Sequence, residues 1–353
     1  MSQAPGSPGA PSGPAITIEQ LTRAIPRDAR EARAYQLSDD VWSLILPLGY
    51  AQLRSVNAYL LSTPEGLTLV DCGSALDPGW DGLVHALALA GHEPQEIRRL
   101  VCTHLHQDHA GLADLVNVRT DCELIRGAGP ATAHDSFRDR ALDLDARRRR
   151  GRREGVPADQ LGVLIGPIIA DDGRHPRPGF HRLLTVGDRL GDWQVVSAPG
   201  HSAAQIGLFD PGRRWLISAD LAGEIPTLEF GSTPDPVTEH LDALNRALAL
   251  DPARMLPGHG RPVEPATAVR ATLQRARRTL EDWLTLAATA LAEDGPLTGF
   301  ALSERLDPGN RDLEWRQSSM STALCVLEAL WTRGRATASV GADGVRRFTE
   351  AGR

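Results

Sequence analysis

Short apolar runs separated by turn residues follow one another from Asp40 onward, and they are rich in β-branched and aromatic residues. This pattern predicts strands, the first three being VWSLILPL, VNAYLLST and LTLVDCG. Residues 79–90 then have apolar positions at helical spacing, so a helix is expected to end at Gly91. The further predicted strands are RRLVCTH, DCELIRG, HRLLTVGDRL, WQVVSAPGH, IGLFDP, RWLISAD and ARMLPGHG, with a helix at 237–250 before the last of them.

The strand pattern ends after Pro265, and the rest of the chain has a different character. A long helical pattern, a second amphipathic helix that ends near Gly334 and a hairpin signal at 341–344 follow in that order. Helix, helix and two-stranded hairpin together predict a small winged-helix-like domain over residues 266–353.

Two other segments depart from the strand pattern. Residues 1–16 are rich in Gly, Pro, Ser and Ala, so they bury too little apolar surface to offset the entropy of ordering and are predicted to form a disordered tail. Residues 130–180 are helical in pattern, polar and rich in arginine, which predicts a helical insertion that acts as a lid. The catalytic domain is therefore expected at 17–265, and its mixture of strands and helices predicts an α/β (α+β) fold.

The 353 residues carry a formal net charge of -7. A uniformly acidic chain is not expected to bind nucleic acid, because phosphate binding needs a concentrated positive surface. The four cysteines form no C-x-x-C pair and lie in or beside apolar runs, which predicts buried free thiols in a reducing compartment. The sequence shows neither a signal peptide nor a long uncharged apolar span, so we expect a cytoplasmic protein without a membrane partner.

The segment THLHQDH, directly after the strand RRLVC, carries the most informative chemistry. Alternate residues of an extended segment point the same way, so His104 and His106 are predicted to face one side together. Asp108 and His109 then enter the first turn of the next helix and present two further ligand-type side chains. Burying three imidazoles and a carboxylate together is costly unless they are paired or bound to metal, so the segment predicts a metal site.

Three later residues repeat one theme, a ligand-type side chain on a Gly- or Pro-bounded loop just past an apolar strand. They are His201 in APGHS, Asp220 in LISAD and His259 in PGHG. Each alone is more typical of a structural residue than of a ligand. Together they indicate one functional edge of the predicted sheets, because rigid scaffolds carry their catalytic groups on such loops.

HLHQDH matches H-x-H-x-D-H, and with the APGHS, ISAD and PGHG blocks the chain resembles the metallo-β-lactamase fold superfamily over residues 40–265. The resemblance implies a four-layered αβ/βα sandwich with two divalent metal ions at the rim between two sheets, bridged by Asp220. The implied ligand sets are His104, His106 and His201 for one metal, and Asp108, His109 and His259 for the other. The block VDCG resembles the family's early Asp-x-Gly block, so Asp71 is either a partner that orients a ligating imidazole or a turn residue that closes a strand.

The implied ligands decide the expected chemistry. Imidazole and carboxylate without thiolate suit zinc, with iron or manganese as alternatives. Two close metals can share a water, lower its pKa and hold the resulting hydroxide as the nucleophile, while one of them polarises a carbonyl. Asp108 is also a candidate catalytic residue, because a ligand beside that water can orient it or move its proton.

The resemblance favours one group of hydrolases within the superfamily. Di-iron flavoproteins of this fold place a Glu where His106 stands, many true β-lactamases are secreted and shorter, and the RNA-processing branches carry extra motifs not found here. What remains resembles hydroxyacylglutathione hydrolases, lactonases and acyl-thioesterase-like hydrolases, with an architecture similar to the β-lactamase-like protein 2 group and its winged-helix end. We therefore expect cleavage of an ester, thioester or lactone in a small acyl substrate, by a chain whose C-terminal helices could form a homodimer.

The arginine run at 147–153 leaves three interpretations open. It is a solvated helix face, a binding element for an anionic substrate such as a coenzyme A thioester, or an RNA-backbone contact. The last interpretation would make the chain a metal-dependent endoribonuclease of the same fold. A non-enzymatic binding protein is disfavoured, because the set of ligand-type residues is complete.

Overall fold

The computed structural model describes residues 31–49, 53–129, 148–161, 179–223, 225–306 and 313–352, with only the backbone for 313–315 and 317. The predicted tail at 1–16 and most of the predicted lid at 130–180 lie outside these residues, so both stay predictions. The same holds for the division into a catalytic domain at 17–265 and a C-terminal domain at 266–353.

The first sheet has seven strands whose spatial order follows the chain. They are β1 (Arg33–Ser38), β2 (Val41–Pro47), β3 (Ser55–Thr63), β4 (Gly66–Val70), β5 (Ile97–Cys102), β6 (Glu123–Gly127) and β7 (Arg182–Leu184). Strands β1 to β4 pair antiparallel, and β4 to β7 pair parallel. The carboxyl ends of β4, β5 and β6 therefore meet at one edge of the sheet.

The second sheet has five strands, which are β8 (Arg189–Leu190), β9 (Trp193–Ser197), β10 (Ile206–Asp210), β11 (Trp215–Ala219) and β12 (Arg254–Pro257). Their spatial order is the reverse of the chain order, from β12 to β8. Strands β11 and β12 pair parallel, so the Asp220 loop and the PGHG loop leave the sheet side by side.

The numbered helices of the described residues are α1 (Gly79–Leu89), α2 (Gln107–Ala110), α3 (Ala113–Thr120), α4 (Pro236–Leu250), α5 (Ala266–Asp294), α6 (Gly299–Leu306) and α7 (Leu313–Thr332). A 3-10 turn lies at Pro94–Glu96, and residues 148–153 and 158–161 are also helical. No helix within the described ranges is both long and apolar enough to cross a membrane.

Successive side chains of a strand point to opposite faces of its sheet, as the period of two requires. Ile45 and Tyr59 lie in a core that also contains Val195 and Leu208 of the second sheet, so this core fills the space between the sheets. The intervening residues, such as Leu44, instead pack with the side chains of α1 and α3. The opposite face of the second sheet packs with α4, α5 and α7. The predicted α/β sandwich with the layers αβ/βα is thus confirmed.

Two elements escaped the sequence pattern. Strand β1 precedes the predicted first strand, and it pairs only with β2 at the edge of the sheet, where most of its side chains are half-buried and carry a weak apolar signal. Helix α6 has eight residues, a length that is marginal in isolation. The fully buried Leu302 fixes it against the core instead.

Arg213 connects the two sheets near one end. Its guanidinium donates to both carboxylate oxygens of Asp40, at 2.6 and 2.8 Å, and its Nε donates to Asp210 at 2.5 Å. The hydrogen bond from Arg213 holds the pKa of Asp40 below its ordinary value, although partial burial opposes this. The β1–β2 turn and the β10–β11 turn are therefore joined by a charge-assisted contact.

The chain ends with the antiparallel hairpin of β13 (Ala336–Val340) and β14 (Arg346–Glu350). The predicted long helix, second helix and hairpin are present, but the unpredicted helix α6 lies between the two helices, and the winged-helix interpretation stays a prediction. Arg346 of β14 is buried and donates to both oxygens of Glu154, at 2.8 and 3.1 Å, and to Glu328 of α7. A buried ion-pair network thus joins the described part of the insertion to the C-terminal end.

All four cysteines are buried and none forms a disulfide, which confirms the predicted free thiols.

Candidate metal centre

The THLHQDH segment leaves β5 in extended form and then enters helix α2. His106 has β-region dihedral angles and precedes the first helical residue, while Asp108 and His109 lie within α2. This is the local arrangement that the spacing predicts, with two imidazoles on the extended part and two ligand-type groups on the helix. His104 and His109 are buried, and His106 and Asp108 are half-buried.

Three imidazoles meet in a first group of donor atoms. The Nδ1 atom of His106 lies 3.0 Å from Nε2 of His104 and 2.9 Å from Nε2 of His201. His201 arrives from the loop after β9, at the end of the second sheet. The two sheets therefore bring together three nitrogen donors, although His106 and His201 are separated by 95 residues along the chain.

A second group forms around His259, which arrives from the loop after β12. Its Nε2 atom lies 3.1 Å from Oδ2 of Asp108 and 3.2 Å from Nε2 of His109. Asp220 lies between the two groups, with Oδ2 3.4 Å from Nε2 of both His201 and His259 and Oδ1 3.5 Å from Nε2 of His109. The structure thus brings the seven predicted ligand residues together at one place.

Asp71 lies next to the second group and contacts Thr103 and His109. Its carboxylate accepts hydrogen bonds from the backbone N–H and the hydroxyl of Thr103, at 2.7 and 2.8 Å, and lies 2.8 Å from Nδ1 of His109. It has a positive φ of 60°, an unfavourable conformation for a residue other than glycine. Between the two interpretations of Asp71, the contact with His109 favours the one in which it orients an imidazole.

The His259 loop is held by strand β3 of the opposite sheet. Nδ1 of His259 donates to the carbonyl of Ser55 at 3.0 Å. The side chain of Asn57 donates to the carbonyls of Pro257 and Gly260, and the Tyr59 hydroxyl also donates to Pro257. Asn57 and Tyr59 are not among the predicted site residues, although a polar Asn inside the apolar run VNAYLL was a usable signal.

Charge divides the site into two halves. Burial, aided by the neighbouring His201, lowers the pKa of His106 to about 3, so the first group consists of neutral imidazoles. Burial also acts to lower the pKa of His259, but the carboxylates of Asp220 and Asp108 outweigh it and raise that pKa to about 10. The second group therefore balances its imidazoles with two carboxylates.

These residues fit divalent metal ions. Two donors bound at about 2.0–2.1 Å to one tetrahedral ion lie about 3.3 Å apart, close to the separations of 2.9 to 3.2 Å between facing ring nitrogens here. In the first group, the three neutral imidazoles face one another at 2.9 and 3.0 Å, an arrangement that suits donors of one shared cation. Oδ1 of Asp220 is also buried without a hydrogen-bond partner among the described residues, as expected of an oxygen placed to bind a cation.

Glycine is required beside two of the ligands. A Cβ atom at Gly258 would lie 2.2 Å from Oδ1 of Asp220. Gly200 has a φ of +112°, and a Cβ there would lie 2.3 Å from Cβ of His240. The PGH blocks therefore combine a donor with the close backbone approach that its placement needs.

Comparisons with known proteins agree with this geometry. The family profile described as metallo-beta-lactamase superfamily matches residues 51–259. The probable metallo-hydrolase YqjP of Bacillus subtilis is 27% identical over 312 residues, which is 83% of this chain and 93% of that protein. Ribonuclease BN of Citrobacter koseri is 28% identical over 186 residues, which is 50% of this chain and 57% of that protein.

Two solved structures share the fold over most of the chain. A metallo-beta-lactamase family protein from Thermus thermophilus has a TM-score of 0.75 at 22% identity, covering 89% of this chain and 100% of that one. A beta-lactamase domain protein from Burkholderia ambifaria has a TM-score of 0.74 at 23% identity, covering 90% of this chain and 94% of that one. At these identities the likeness concerns the fold alone.

Proposed function

The chain belongs to the metallo-beta-lactamase superfamily and is a metal-dependent hydrolase, and we propose that it uses two divalent metal ions to cleave an ester, thioester or lactone of a small acyl substrate. The observation that carries the proposal is the convergence of seven donor residues in two groups that share Asp220. Zinc is the proposed metal, because nitrogen and carboxylate donors without thiolate suit it.

The residues of the chain have distinct roles in this proposal. When bound, the metal ions lower the pKa of a water and polarise the carbonyl that is attacked. His104, His106 and His201 would hold one ion through neutral nitrogens. Burial acts to raise the pKa of Asp108, but the imidazoles of His109 and His259 outweigh it and hold that pKa below its ordinary value, so the carboxylate stays ionised. We assign Asp108 to orient the attacking water and to accept its proton.

Hydrolysis of a panel of acyl thioesters, lactones and simple esters, each with and without chelator, tests this function. Turnover of one class is expected to disappear with chelator and to return with added Zn²⁺. His106→Ala removes one donor and should abolish turnover, whereas His85→Ala, on the exposed side of α1, is the matched control that should retain it. Full turnover in chelator by a metal-free protein would contradict the metal mechanism.

A second candidate, a metal-dependent endoribonuclease, is favoured by two observations. Residues 148–153 form a helix whose arginines are exposed, and exposed arginines can neutralise phosphates. The similarity to ribonuclease BN covers half of the chain. Under this candidate, Arg149→Glu with Arg152→Glu abolishes cleavage of single-stranded RNA at low salt.

The control for the ribonuclease candidate has the same change of charge elsewhere. Arg275→Glu with Arg278→Glu, on the exposed face of α5, should leave RNA cleavage intact. RNA left uncut by metal-loaded protein, together with turnover of an acyl substrate, excludes this candidate.

Two further expectations from the sequence also stand as proposals. The homodimer through the C-terminal helices is supported by the exposed apolar side chains of Leu286 on α5 and Trp331 on α7. Light scattering of the purified protein tests it, and a monomer mass would contradict it. The cytoplasmic location rests on the sequence alone.

A further inference from the structure

We propose that helix α7 supports the metal centre. Its residues Ser321 and Thr322 are positioning residues that set the orientation of the His201 imidazole. They act through the 225–232 loop, which separates His201 from α7. The inference rests on the proposed metal function, and it assigns to the C-terminal end of the chain a task beyond packing.

His201 contacts the loop through its second ring nitrogen. Nε2 of His201 points to the first donor group, 2.9 Å from Nδ1 of His106. Its other nitrogen, Nδ1, lies 2.9 Å from both the carbonyl oxygen and the hydroxyl oxygen of Thr227. Nδ1 therefore carries the proton and donates it to Thr227, which leaves the Nε2 lone pair for a metal and fixes the plane of the ring.

Hydrogen bonds attach the loop to α7. The backbone N–H of Leu228 donates to Oγ1 of Thr322 at 3.0 Å, and that of Phe230 donates to Oγ of Ser321 at 2.8 Å. The Ser321 hydroxyl in turn donates to the carbonyl of Leu228 at 2.7 Å. Residues 225–232 belong to no helix or strand, so these hydroxyls replace the backbone partners that regular structure would supply.

Apolar side chains also anchor the same loop. Leu228 is buried in the core that contains α5 and α7, and Phe230 packs against Met320 and Leu324 of α7. Thr322 is itself only 1% exposed. Water therefore cannot replace its hydroxyl at Leu228, and a change on α7 must move the residue that follows Thr227.

The two halves of the metal centre differ in their support, and this difference supplies the test. His259 is held by Ser55 of β3, on the opposite sheet, and within the described ranges no hydrogen bond joins it to α7. A disturbance of α7 should therefore weaken the group that contains His201 and spare the group that contains His259. General destabilisation of the fold would weaken both groups together.

The experiment is a titration of metal-free protein with Co²⁺, followed by visible absorption and by metal analysis after dialysis. The group with three imidazoles and the group that also contains Asp108 differ in their donor sets and give different spectra, so each group can be followed by itself. In Ser321→Ala with Thr322→Val, we expect Co²⁺ affinity to fall about 10–100-fold at the His104–His106–His201 group, the usual effect of losing support behind a ligand. The other group should fill as in the wild type.

A control variant lies on the same helix. The Thr332 hydroxyl donates only within α7, to the carbonyls of Glu328 and Ala329, so Thr332→Val should leave both affinities unchanged. The single variants Thr322→Val and Thr322→Ser test the contact with the Leu228 backbone N–H, and the hydroxyl-retaining Ser variant should restore the affinity that Val loses. This pair decides the question if the double variant on α7 does not fold.

The possible outcomes distinguish a failure of this inference from a failure of the proposed metal function. Wild-type protein that binds no Co²⁺ overturns the proposed metal centre and the inference with it. Two bound ions in the wild type, with unchanged affinities in the Ser321 and Thr322 variants, overturn the inference alone. Equal weakening of both groups, together with a lower melting temperature, overturns it as well, because it reveals a purely structural role.

Discussion

Asn57 and Tyr59 share one acceptor, and their removal singly and together gives a stringent test of how the His259 loop is held. The Asn57 side chain donates to the carbonyls of Pro257 at 2.8 Å and Gly260 at 2.9 Å, and the Tyr59 hydroxyl donates to the same Pro257 carbonyl at 2.6 Å. Gly260 is exposed, so water can replace its lost partner, whereas Pro257 is buried.

The magnitudes follow from which carbonyls keep a donor. Asn57→Ala removes two hydrogen bonds but leaves Pro257 paired with Tyr59, so it should cost about 2 kcal/mol, at about 1 kcal/mol per bond. Tyr59→Phe leaves Pro257 paired with Asn57 and should cost about 1 kcal/mol. The double variant removes both side-chain donors from a buried carbonyl, which should add about 1–3 kcal/mol beyond the sum.

Urea unfolding of the metal-free variants measures this coupling. Equal m values across the four proteins would show that the same surface is exposed on unfolding, so that the free energies can be compared. A double variant that is destabilised by more than the sum of the single variants supports the shared acceptor. Additivity to within about 0.5 kcal/mol would refute the reasoning.

Three further predictions concern other parts of the molecule. Gly258→Ala brings a Cβ to 2.2 Å from Oδ1 of Asp220, so bound metal should be lost while circular dichroism is retained; unchanged metal content would contradict the close approach. Arg346→Met leaves the buried Glu154 without its two short contacts and with Arg153 at 3.9 Å, so it should destabilise the fold by about 3–5 kcal/mol in urea, and a loss below about 1 kcal/mol would refute the role of the pair. The lowered pKa of Asp40 means that its carboxylate stabilises the fold above the unfolded-state pKa of about 4, and that this stability is lost as pH falls through the lower folded-state pKa. The difference in melting temperature between wild type and Asp40→Asn should therefore vanish in acid, and a constant difference would count against it.

The local sequence pattern was sufficient to predict most of the strands and helices and the chemistry of the candidate ligands. Strands such as β3 and β11 are short apolar runs, and their period of two is a property of a few neighbouring residues. The H-x-H-x-D-H spacing likewise contains its own geometry, because the direction of side chains on an extended segment and on a first helical turn follows from the backbone. The edge strand β1 and the short helix α6 lacked such a signal, since packing rather than propensity stabilises them.

The sequence by itself therefore determined which residues are candidate donors, their order along the chain and the strand ends that carry them. Only the tertiary structure decided what holds those donors in place. Asn57 meets the carbonyl of Pro257 across 200 residues of chain, and Thr322 meets the backbone of Leu228 across 94. A hydrogen bond between distant segments depends on how sheets and helices pack. It does not change the periodicity of either segment, so no local sequence pattern can predict it.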